Sequence, residues 1–219
     1  MPELSQRNDD ASAHAWGVKP FRDNRTLQAA LIAFALFWLW MGYDPYRIFN
    51  WWLENLLTLL AAAGLVATRR WFAWSNASYL LILAFIALHT VGAHYSYNET
   101  PLDRWLDALF DFERNHFDRV VHFAFGLLTA YPAYEFLRRV AGVRHGWACA
   151  IVPCVVLAFG AFYELIEMWV TSVLDPERGA LFLGSQGDPW DAHHDMEVAL
   201  YGAIIAMLAT AWIKGKKHH

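Results

Sequence analysis

The sequence predicts an all-α integral membrane protein, a bundle of six transmembrane helices with a short amphipathic helix on the outer side. The composition is the first reason, because 57% of the 219 residues are hydrophobic and only 17% are charged, which is too apolar for a soluble domain of this length. The second reason is a set of six apolar segments, each close to the ~20 residues that a helix needs to cross the hydrocarbon. The third is that basic residues concentrate at alternate ends of these segments.

Polar stretches flank the apolar part of the chain. Residues 1–25 have no sustained apolar period, so we interpret them as a disordered cytoplasmic tail. Residues 26–213 are expected to form a single six-helix membrane domain, and residues 214–219 a short cytoplasmic tail. The predicted transmembrane segments are, in order, about Leu27–Gly42, Trp51–Thr68, Ala77–His94, Arg119–Leu137, Trp147–Val173 and Trp190–Ile213.

The distribution of Lys and Arg predicts the orientation of the bundle. An even number of spans puts both termini on one side of the membrane, and 12 of the 17 basic residues fall on that side. Cytoplasmic loops carry the excess of Lys and Arg in membrane proteins, so both termini are expected in the cytoplasm. The net charge of −4 argues against nucleic acid as a partner, and membrane lipids are the expected surroundings.

Two loops on the outer side contain helix start signals. Thr100 is a suitable N-cap, followed by Pro101 in the first turn and Asp103 three residues on. The apolar residues that follow repeat at helical spacing, which predicts a short amphipathic helix lying on the outer membrane surface or capping the bundle. Before the last segment Asp188 is a second N-cap, and Asp191 falls in the first turn, where the helix dipole favours a negative charge.

Two carboxylates interrupt the fifth apolar segment. Glu164 and Glu167 lie where lipid is expected, and a charged side chain at the bilayer centre costs roughly 2.5–3.5 kcal/mol on insertion scales. A neighbouring Leu, Ile or Val returns only about 0.3–0.6 kcal/mol on the same scale. The two acids therefore need polar partners from other helices.

Such partners occur at matching depth on two other segments. Asp118 and His122 are four residues apart and share a helix face, as do Asp191 and Asp195, with His194 nearby. At ~1.5 Å per residue, the acids and His122 within the spans lie between roughly 5 and 13 Å from the outer ends. The sequence therefore predicts one outward-facing polar pocket.

Three interpretations of this pocket remain open. In the first, the side chains hydrogen-bond to one another and only lock helix packing. In the second, carboxylates and imidazole from separate helices bind a divalent metal, Zn²⁺, Mn²⁺ or Fe²⁺. In the third, a metal-free network performs acid/base chemistry or relays protons. The candidate metal ligands are Asp118, His122, Glu164, Asp191 and Asp195. The candidate catalytic residues are Glu164, Glu167 and His122.

Other polar and small residues receive structural interpretations. Glu135 lies near the cytoplasmic end of its segment and is expected to pair with Arg138 or Arg139. His89 is interpreted as a hydrogen-bonded core histidine. A set of small residues is expected to let helices approach closely, namely Gly160, Gly202, Ala199, Ala203 and Ala206.

Three motifs carry a resemblance to a known family. They are Asn115–Phe123 (NHFDRVVHF), Phe162–Glu167 (FYELIE) and Phe182–Asp191 (FLGSQGDPWD), the last followed by Asp195 and Met196. With these motifs the chain resembles the YjdF-like family of uncharacterised bacterial multi-pass inner-membrane proteins, over roughly residues 27–213. The resemblance implies the six-helix architecture and the bacterial inner membrane, and it implies no activity.

A more distant likeness is to VanZ-like membrane proteins, which pair an Asp-Lys-x-x-His-Phe element with an acid in a later helix and an acidic start to the final one. Asp118 to Phe123, Glu164 and the pair Asp191 and Asp195 look similar in order. The chain departs from that pattern at Arg119, which keeps the charge of the Lys but neither its geometry nor its ability to lose a proton.

The leading functional hypothesis is an inner-membrane protein whose outward-facing His/Asp/Glu pocket binds a metal and acts on an envelope lipid or lipid-linked substrate, as a metal-dependent hydrolase or transferase. The alternative is a non-enzymatic membrane component, either a small transporter or an accessory subunit. Both hypotheses allow a homo-oligomer or a larger membrane complex.

Overall fold

The computed structural model describes residues 16–97, 99–110, 116–174, 179, 182 and 186–215. Seven helices lie within these ranges. None of the described residues is in a strand, so the predicted all-α class is confirmed. A 3-10 turn at Phe21–Asp23 precedes them. The helices are α1 (Arg25–Met41), α2 (Ile48–Thr68), α3 (Asn76–Tyr95), α4 (Pro101–Phe110), α5 (Phe117–Arg139), α6 (His145–Val173) and α7 (Asp191–Gly215).

Five of these helices, α2, α3, α5, α6 and α7, are long and apolar enough to cross a membrane. Helix α1 is equally apolar in character but has only 17 residues, which is about 26 Å at 1.5 Å per residue. All six fall within a few residues of the segments predicted from hydropathy. The five long spans are therefore confirmed as helices of spanning length.

The bundle has two ends, which loop contacts define. At the terminal end, Asn24 hydrogen-bonds to Asn76 and Tyr134 to His145. At the opposite end, the amide of Tyr46 donates to the carbonyl of His94. The terminal end carries Arg25, Thr68, Asn76, Arg139, His145 and Gly215, and the opposite end carries Met41, Ile48, Tyr95, Phe117, Val173 and Asp191.

Helix α5 is central, because it packs against α3, α6 and α7. Its contact with α7 is the most extensive in the bundle. A Cβ on Gly126 would lie 1.8 Å from the carbonyl oxygen of Ala199, and a Cβ on Gly202 would lie 2.3 Å from that of Phe123. Close approach at Gly202, Ala199 and Ala203 was expected and is confirmed, since both alanines are fully buried. The same prediction for Gly160 is wrong: a Cβ there would meet nothing within 4 Å.

An apolar core fills the middle of the bundle and extends toward the terminal end. Its buried members come from α5, α6 and α7, and small side chains predominate because the helices lie close together. This packing separates the polar residues of the opposite half from the terminal end. The core residues are Ala130, Tyr134, Ala148, Val152, Val156, Ala199, Ala203 and Met207.

Polar contacts at the terminal end tie α3 to α5. Glu135 is fully buried and pairs with Arg139 at 2.5 Å, as expected. Its carboxylate also accepts hydrogen bonds from the amide and hydroxyl of Ser75 and from the hydroxyl of Ser78. The charge is therefore compensated locally, and Glu135 takes no part in the polar pocket.

The described start of the chain contacts the terminal end of the bundle. Trp16 packs against Tyr134 with ring centroids 6.0 Å apart, and Nζ of Lys214 lies 3.8 Å from the Trp16 ring. Aromatic and cation–π contacts therefore hold this part of the chain against the terminal end. Residues 1–15 and 216–219, the rest of the two predicted tails, lie outside the described residues.

Helix α4 begins as predicted and orients the start of α5. The hydroxyl of Thr100 accepts from the amide of Asp103 and donates to the carboxylate of the same residue. The other oxygen of that carboxylate accepts from the amides of His116 and Phe117, at 2.8 and 3.0 Å. Thr100 thereby caps α4, and the Asp103 carboxylate caps the start of α5 and links the two helices. The side chains of residues 106, 107 and 110 lie outside the described part of α4.

Candidate functional site

The polar pocket is centred on His122, which α5 presents to the interior of the opposite half. His122 Nε2 lies 3.6 Å from Asp118 Oδ1, one turn earlier on the same helix, and 3.6 Å from Glu164 Oε1 on α6. Asp195 on α7 completes the group, since one ligand atom each from Asp118, His122 and Asp195 lies within 4.8 Å of the others. The structure therefore brings together residues from three helices that the sequence predicted to converge.

His122 and Asp195 are buried, Asp118 and Glu164 are partly exposed, and two oxygen atoms of the group lack hydrogen bonds. Asp195 is 2% exposed and His122 is 7% exposed. Glu164 Oε1 and Asp195 Oδ1 are buried without a hydrogen-bond partner in the described structure. An unsatisfied buried carboxylate oxygen is costly in a low-dielectric interior. The pocket therefore favours a positively charged or proton-donating ligand.

The remaining predicted site residues lie around this centre at different distances. Glu167 contacts Glu164 through their carboxyl groups, one turn apart on α6. Asp191 is buried in the first turn of α7 and interacts electrostatically with Glu164, although it is outside the group of three ligand atoms. His194 does not join the pocket. Its Nδ1 lies 3.0 Å from Asp188 Oδ2, because α7 turns this side chain toward the surface.

Arg119 lies on the same surface and neutralises Asp188. Its Nη2 donates to Asp188 Oδ2 at 2.8 Å and lies 3.1 Å from His194 Nδ1. Asp188 also accepts from the amide of Trp190 through Oδ1, in the turn just before α7 begins at Asp191. The ion pair joins α5 to the loop before α7 at the edge of the pocket.

A second polar cluster adjoins the first, and sequence reasoning missed it. Glu54 on α2 is buried, and its Oε2 lies 3.9 Å from His89 Nε2 and accepts from the hydroxyl of Tyr163 at 3.4 Å. His89 Nδ1 lies 2.5 Å from the hydroxyl of Tyr97. Tyr163 also contacts His122 edge-on, with ring centroids 5.9 Å apart. The criterion that singled out Glu164, an acid inside an apolar segment, applies equally to Glu54.

The backbone after α3 folds Tyr97 back into the bundle. Ser96 and Tyr97 have φ angles of 52° and 59°, in the left-handed region that non-glycine residues rarely adopt. The Tyr97 ring fills the space beside Gly92, where a Cβ would lie 2.6 Å from the ring. Burial raises the pKa of the Tyr97 hydroxyl well above its usual range. The hydroxyl therefore keeps its proton and donates to His89, whose Nε2–H faces the Glu54 carbonyl at 3.2 Å.

A cavity of about 250 Å³ lies between the two clusters. Polar side chains of both clusters line one part of it, namely His89, Tyr97, Asp118, His122 and Tyr163. Apolar side chains from four helices line the rest, namely Leu57, Phe85, Val121, Phe125, Phe159, Phe162 and Ile166. Gly160 faces this space, which explains why a Cβ there would meet nothing.

The donor set of the pocket suits a divalent cation. Asp118 and Asp195 offer carboxylate oxygens and His122 offers an imidazole nitrogen, with Glu164 in contact with the imidazole. Oxygen and imidazole donors of this kind suit Zn²⁺, Mn²⁺ and Fe²⁺, and facing helices of a bundle are a common setting for such sites. The arrangement also supports proton transfer, because the carboxyl groups of Glu164 and Glu167 contact each other.

Comparison with known proteins agrees with the resemblance found in the sequence motifs. A family model described as "Predicted membrane protein (DUF2238)" matches residues 26–216. The chain is 33% identical over 187 residues to the "Inner membrane protein YjdF" of Escherichia coli (strain K12), and the alignment covers 84% of this chain and 88% of that protein. No solved structure matches. The chain therefore belongs to the DUF2238 family of predicted membrane proteins, which includes YjdF-like proteins.

Proposed function

We propose that the protein is a metal-dependent hydrolase or transferase of the bacterial inner membrane, acting on an envelope lipid or a lipid-linked substrate. The convergence of Asp118, His122 and Asp195 on one point carries the proposal, together with the unpartnered oxygens of Asp195 and Glu164. The relative in Escherichia coli is named as an inner membrane protein, which supports the location.

The proposal includes six spans with both termini in the cytoplasm. Helix α1 is the sixth span, because the length of its 17 residues, most of them apolar, approaches the hydrocarbon thickness. The terminal end carries most of the Lys and Arg residues, which supports a cytoplasmic position for that end. The pocket then faces the outer side, and α4 covers the bundle there as an amphipathic surface helix.

A bound divalent cation accounts for the charge of the pocket. Asp118, Glu164 and Asp195 are three acids within a membrane-embedded interior, and like charges at such separations repel strongly. Two positive charges at the point between them offset this repulsion and supply a partner for the free oxygens. Such an ion, when bound, supplies Lewis-acid polarisation of a carbonyl or phosphoryl oxygen and a nucleophilic water.

The side chains that adjoin the ligands have roles in proton transfer. Glu167 contacts Glu164, so a proton accepted by one of these carboxyls can pass to the other. Tyr163 lies between His122 and Glu54 and provides a hydroxyl donor at the wall of the cavity. Glu164 is the proposed general base, with Glu167 as its partner and His122 as a ligand.

The cavity supports a lipid as the substrate. Most of its lining is aromatic or aliphatic, and it reaches Asp118 and His122. A carrier would also need a polar route to the terminal end. The packed core of Ala130, Val152 and Ala203 occupies that direction among the described residues, which favours an enzyme over a transporter.

Metal analysis of detergent-purified protein tests the proposal. We expect near-stoichiometric Zn²⁺, Mn²⁺ or Fe²⁺ in the native protein and a large loss in His122→Ala and in Asp195→Asn. His145→Ala is the matched control, because His145 lies at the terminal end against Tyr134 and should leave the metal content unchanged.

Activity is tested in vesicles of bacterial lipid extract supplied with the same metal. Mass spectrometry should detect a lipid product that is absent with His122→Ala. A folded native protein that neither contains nor rebinds any of the three metals would refute the metal-dependent mechanism, and the pocket would then be a packing or proton-transfer network.

A further inference from the structure

The cavity changes character with depth along the helices. At ~1.5 Å per residue, Asp118 and His122 lie about 2 and 8 Å from the start of α5 at the opposite end. By the same measure Leu57 lies about 14 Å along α2, and Phe85 lies about 15 Å from the end of α3. Asp118 and His122 therefore lie in the shallow part of the lining, and Leu57 and Phe85 lie in its deep part.

The deep part of the cavity adjoins the surface that faces lipid. Phe159 and Phe162 on α6 line the cavity and are 63% and 51% exposed, and Leu57 on α2 is 40% exposed. Helix α2 packs chiefly against α3. Leu57 of α2 and Phe159 of α6 line the same cavity. The exposed faces of both helices are continuous with the bundle's lipid-facing surface.

We propose that the cavity between α2 and α6 binds one hydrocarbon chain of a membrane lipid, entering sideways from the bilayer with its head group at Asp118 and His122. The substrate class is then a two-part amphiphile, with an acyl or isoprenoid chain and a polar head that reaches the ligand cluster. The role of the head group in this inference rests on the proposed function. The binding of the hydrocarbon chain is inferred from the cavity alone.

The shape of the cavity matches this occupant. A chain that leaves the surrounding hydrocarbon for an aromatic and aliphatic wall loses no favourable solvation, and it gains contacts with rigid rings. The head group stays at the depth of His122, toward the outer interface in the proposed orientation. Gly160 contributes space to the cavity, since it lines the cavity without a side chain.

Photolabelling in reconstituted vesicles tests the inference. The probe is phosphatidylethanolamine with a diazirine at the end of one acyl chain, in vesicles of phosphatidylethanolamine and phosphatidylglycerol. After irradiation, mass spectrometry should find label on Val121 and Phe125 in the cavity wall, besides label on lipid-facing residues such as Leu36 and Leu60. Label on Leu36 and Leu60 alone would overturn the proposal.

A matched pair of variants identifies the route. Gly160→Leu should abolish labelling of Val121 and Phe125 and leave Leu36 and Leu60 labelled. Gly64→Leu adds the same side chain at an exposed glycine of α2 with open space around it, and should behave as the native protein. Equal wall labelling in both variants would overturn the lateral route.

A second probe tests the orientation of the lipid. A phosphatidylethanolamine with the diazirine on its head group should label the outer part of the cavity near Tyr97 and Asp118, and not Phe85 or Phe125. The reverse pattern would overturn the proposal.

Measuring the metal content separates this inference from the proposed function. Labelling of the cavity wall in a protein without metal would refute only the metal chemistry. An unlabelled cavity wall in a protein that contains metal would refute only the binding of a hydrocarbon chain.

Discussion

His122 Nε2 on α5 and Glu164 Oε1 on α6 lie 3.6 Å apart, although 42 positions separate the two residues in the chain. The Glu164 oxygen has no hydrogen-bond partner in the described structure. Two groups so close and so buried require a shared proton or a shared cation, because each would otherwise be desolvated without compensation. The predictions below follow from this relationship and from the helix packing that maintains it.

The Asp195→Asn variant should separate metal binding from packing. When a chelator removes the metal, the variant should have a higher melting temperature than the native protein, because it has one buried negative charge fewer. With excess Zn²⁺ the native protein should have the higher melting temperature, because a metal at 100 times its dissociation constant stabilises it by about 2.7 kcal/mol. Thermal melts with and without Zn²⁺ measure this. Glu197→Gln, an exposed acid on the same helix, should respond as the native protein does, and an equal Zn²⁺ response in Asp195→Asn would contradict the metal site.

Gly126→Ala should disrupt the pocket without touching any of its side chains. The added Cβ would lie 1.8 Å from the carbonyl oxygen of Ala199, so α5 and α7 must move apart. We expect a loss of about 1–3 kcal/mol in stability. Metal content should fall as well, because the ligands on α5 and α7 separate. Gly64→Ala meets open space and should retain the stability and the metal, and a Gly126→Ala protein that keeps both would disprove the proposed dependence on close packing.

Gly92→Ala should displace Tyr97 and break its hydrogen bond to His89. A helical glycine replaced by alanine normally gains about 0.5–1 kcal/mol, but here the Cβ would lie 2.6 Å from the Tyr97 ring, so the sign should reverse. Thermal melts compare this variant with Gly146→Ala, where a Cβ has open space. In a Tyr97→Phe background, the cost of Gly92→Ala should remain, because the ring still occupies the space. A Gly92→Ala protein as stable as Gly146→Ala would contradict this packing.

Glu135→Ala should be among the most destabilising changes at the terminal end. It leaves Arg139 without its buried carboxylate partner and the two serines without their acceptor, at a cost of about 3–5 kcal/mol. A double-mutant cycle measures the coupling in thermal melts. Glu135→Ala combined with Arg139→Ala should cost less than the sum of the single changes, by about 0.5–3 kcal/mol. Strict additivity would show that the pair contributes nothing specific.

The orientation is tested by cysteine labelling in a background where Cys149 and Cys154 are replaced by alanine. Tyr43→Cys at the opposite end should react with a membrane-impermeant maleimide on spheroplasts. Ala141→Cys at the terminal end should react only after the membrane is disrupted, because the positive-inside rule puts that end in the cytoplasm. The opposite labelling pattern would invert the proposed topology and put the pocket on the cytoplasmic side.

Much of the site followed from local periodicity. The four-residue spacing of Asp118 and His122 predicted a shared face, and their side chains lie 3.6 Å apart. Helix direction then predicted that Asp195 would lie at the same end, and it does. The spacing did not predict the direction of the His194 side chain, because a residue about 60° from a buried face can turn inward or outward. In the structure it turns outward and contacts Asp188.

Other features depend on which helices become neighbours. Glu54 and His89 belong to separate segments, and no spacing within either one indicates that they adjoin Tyr163. Gly160 has the same sequence signature as Gly202, a small residue in an apolar helix. Gly202 meets the backbone of α5, whereas Gly160 faces a cavity, and the difference lies in what stands opposite each glycine.

The sequence by itself determined the helical class, the positions of the spans and the presence of ionisable groups at one level of the bundle, because hydropathy and helical periodicity are local properties. Only the tertiary structure decided which acids meet His122, where the glycines allow helices to touch, and that one cavity is lined by His89, Tyr97 and His122. These depend on helix neighbours and on the rotation of each helix, which arise from packing over the whole chain.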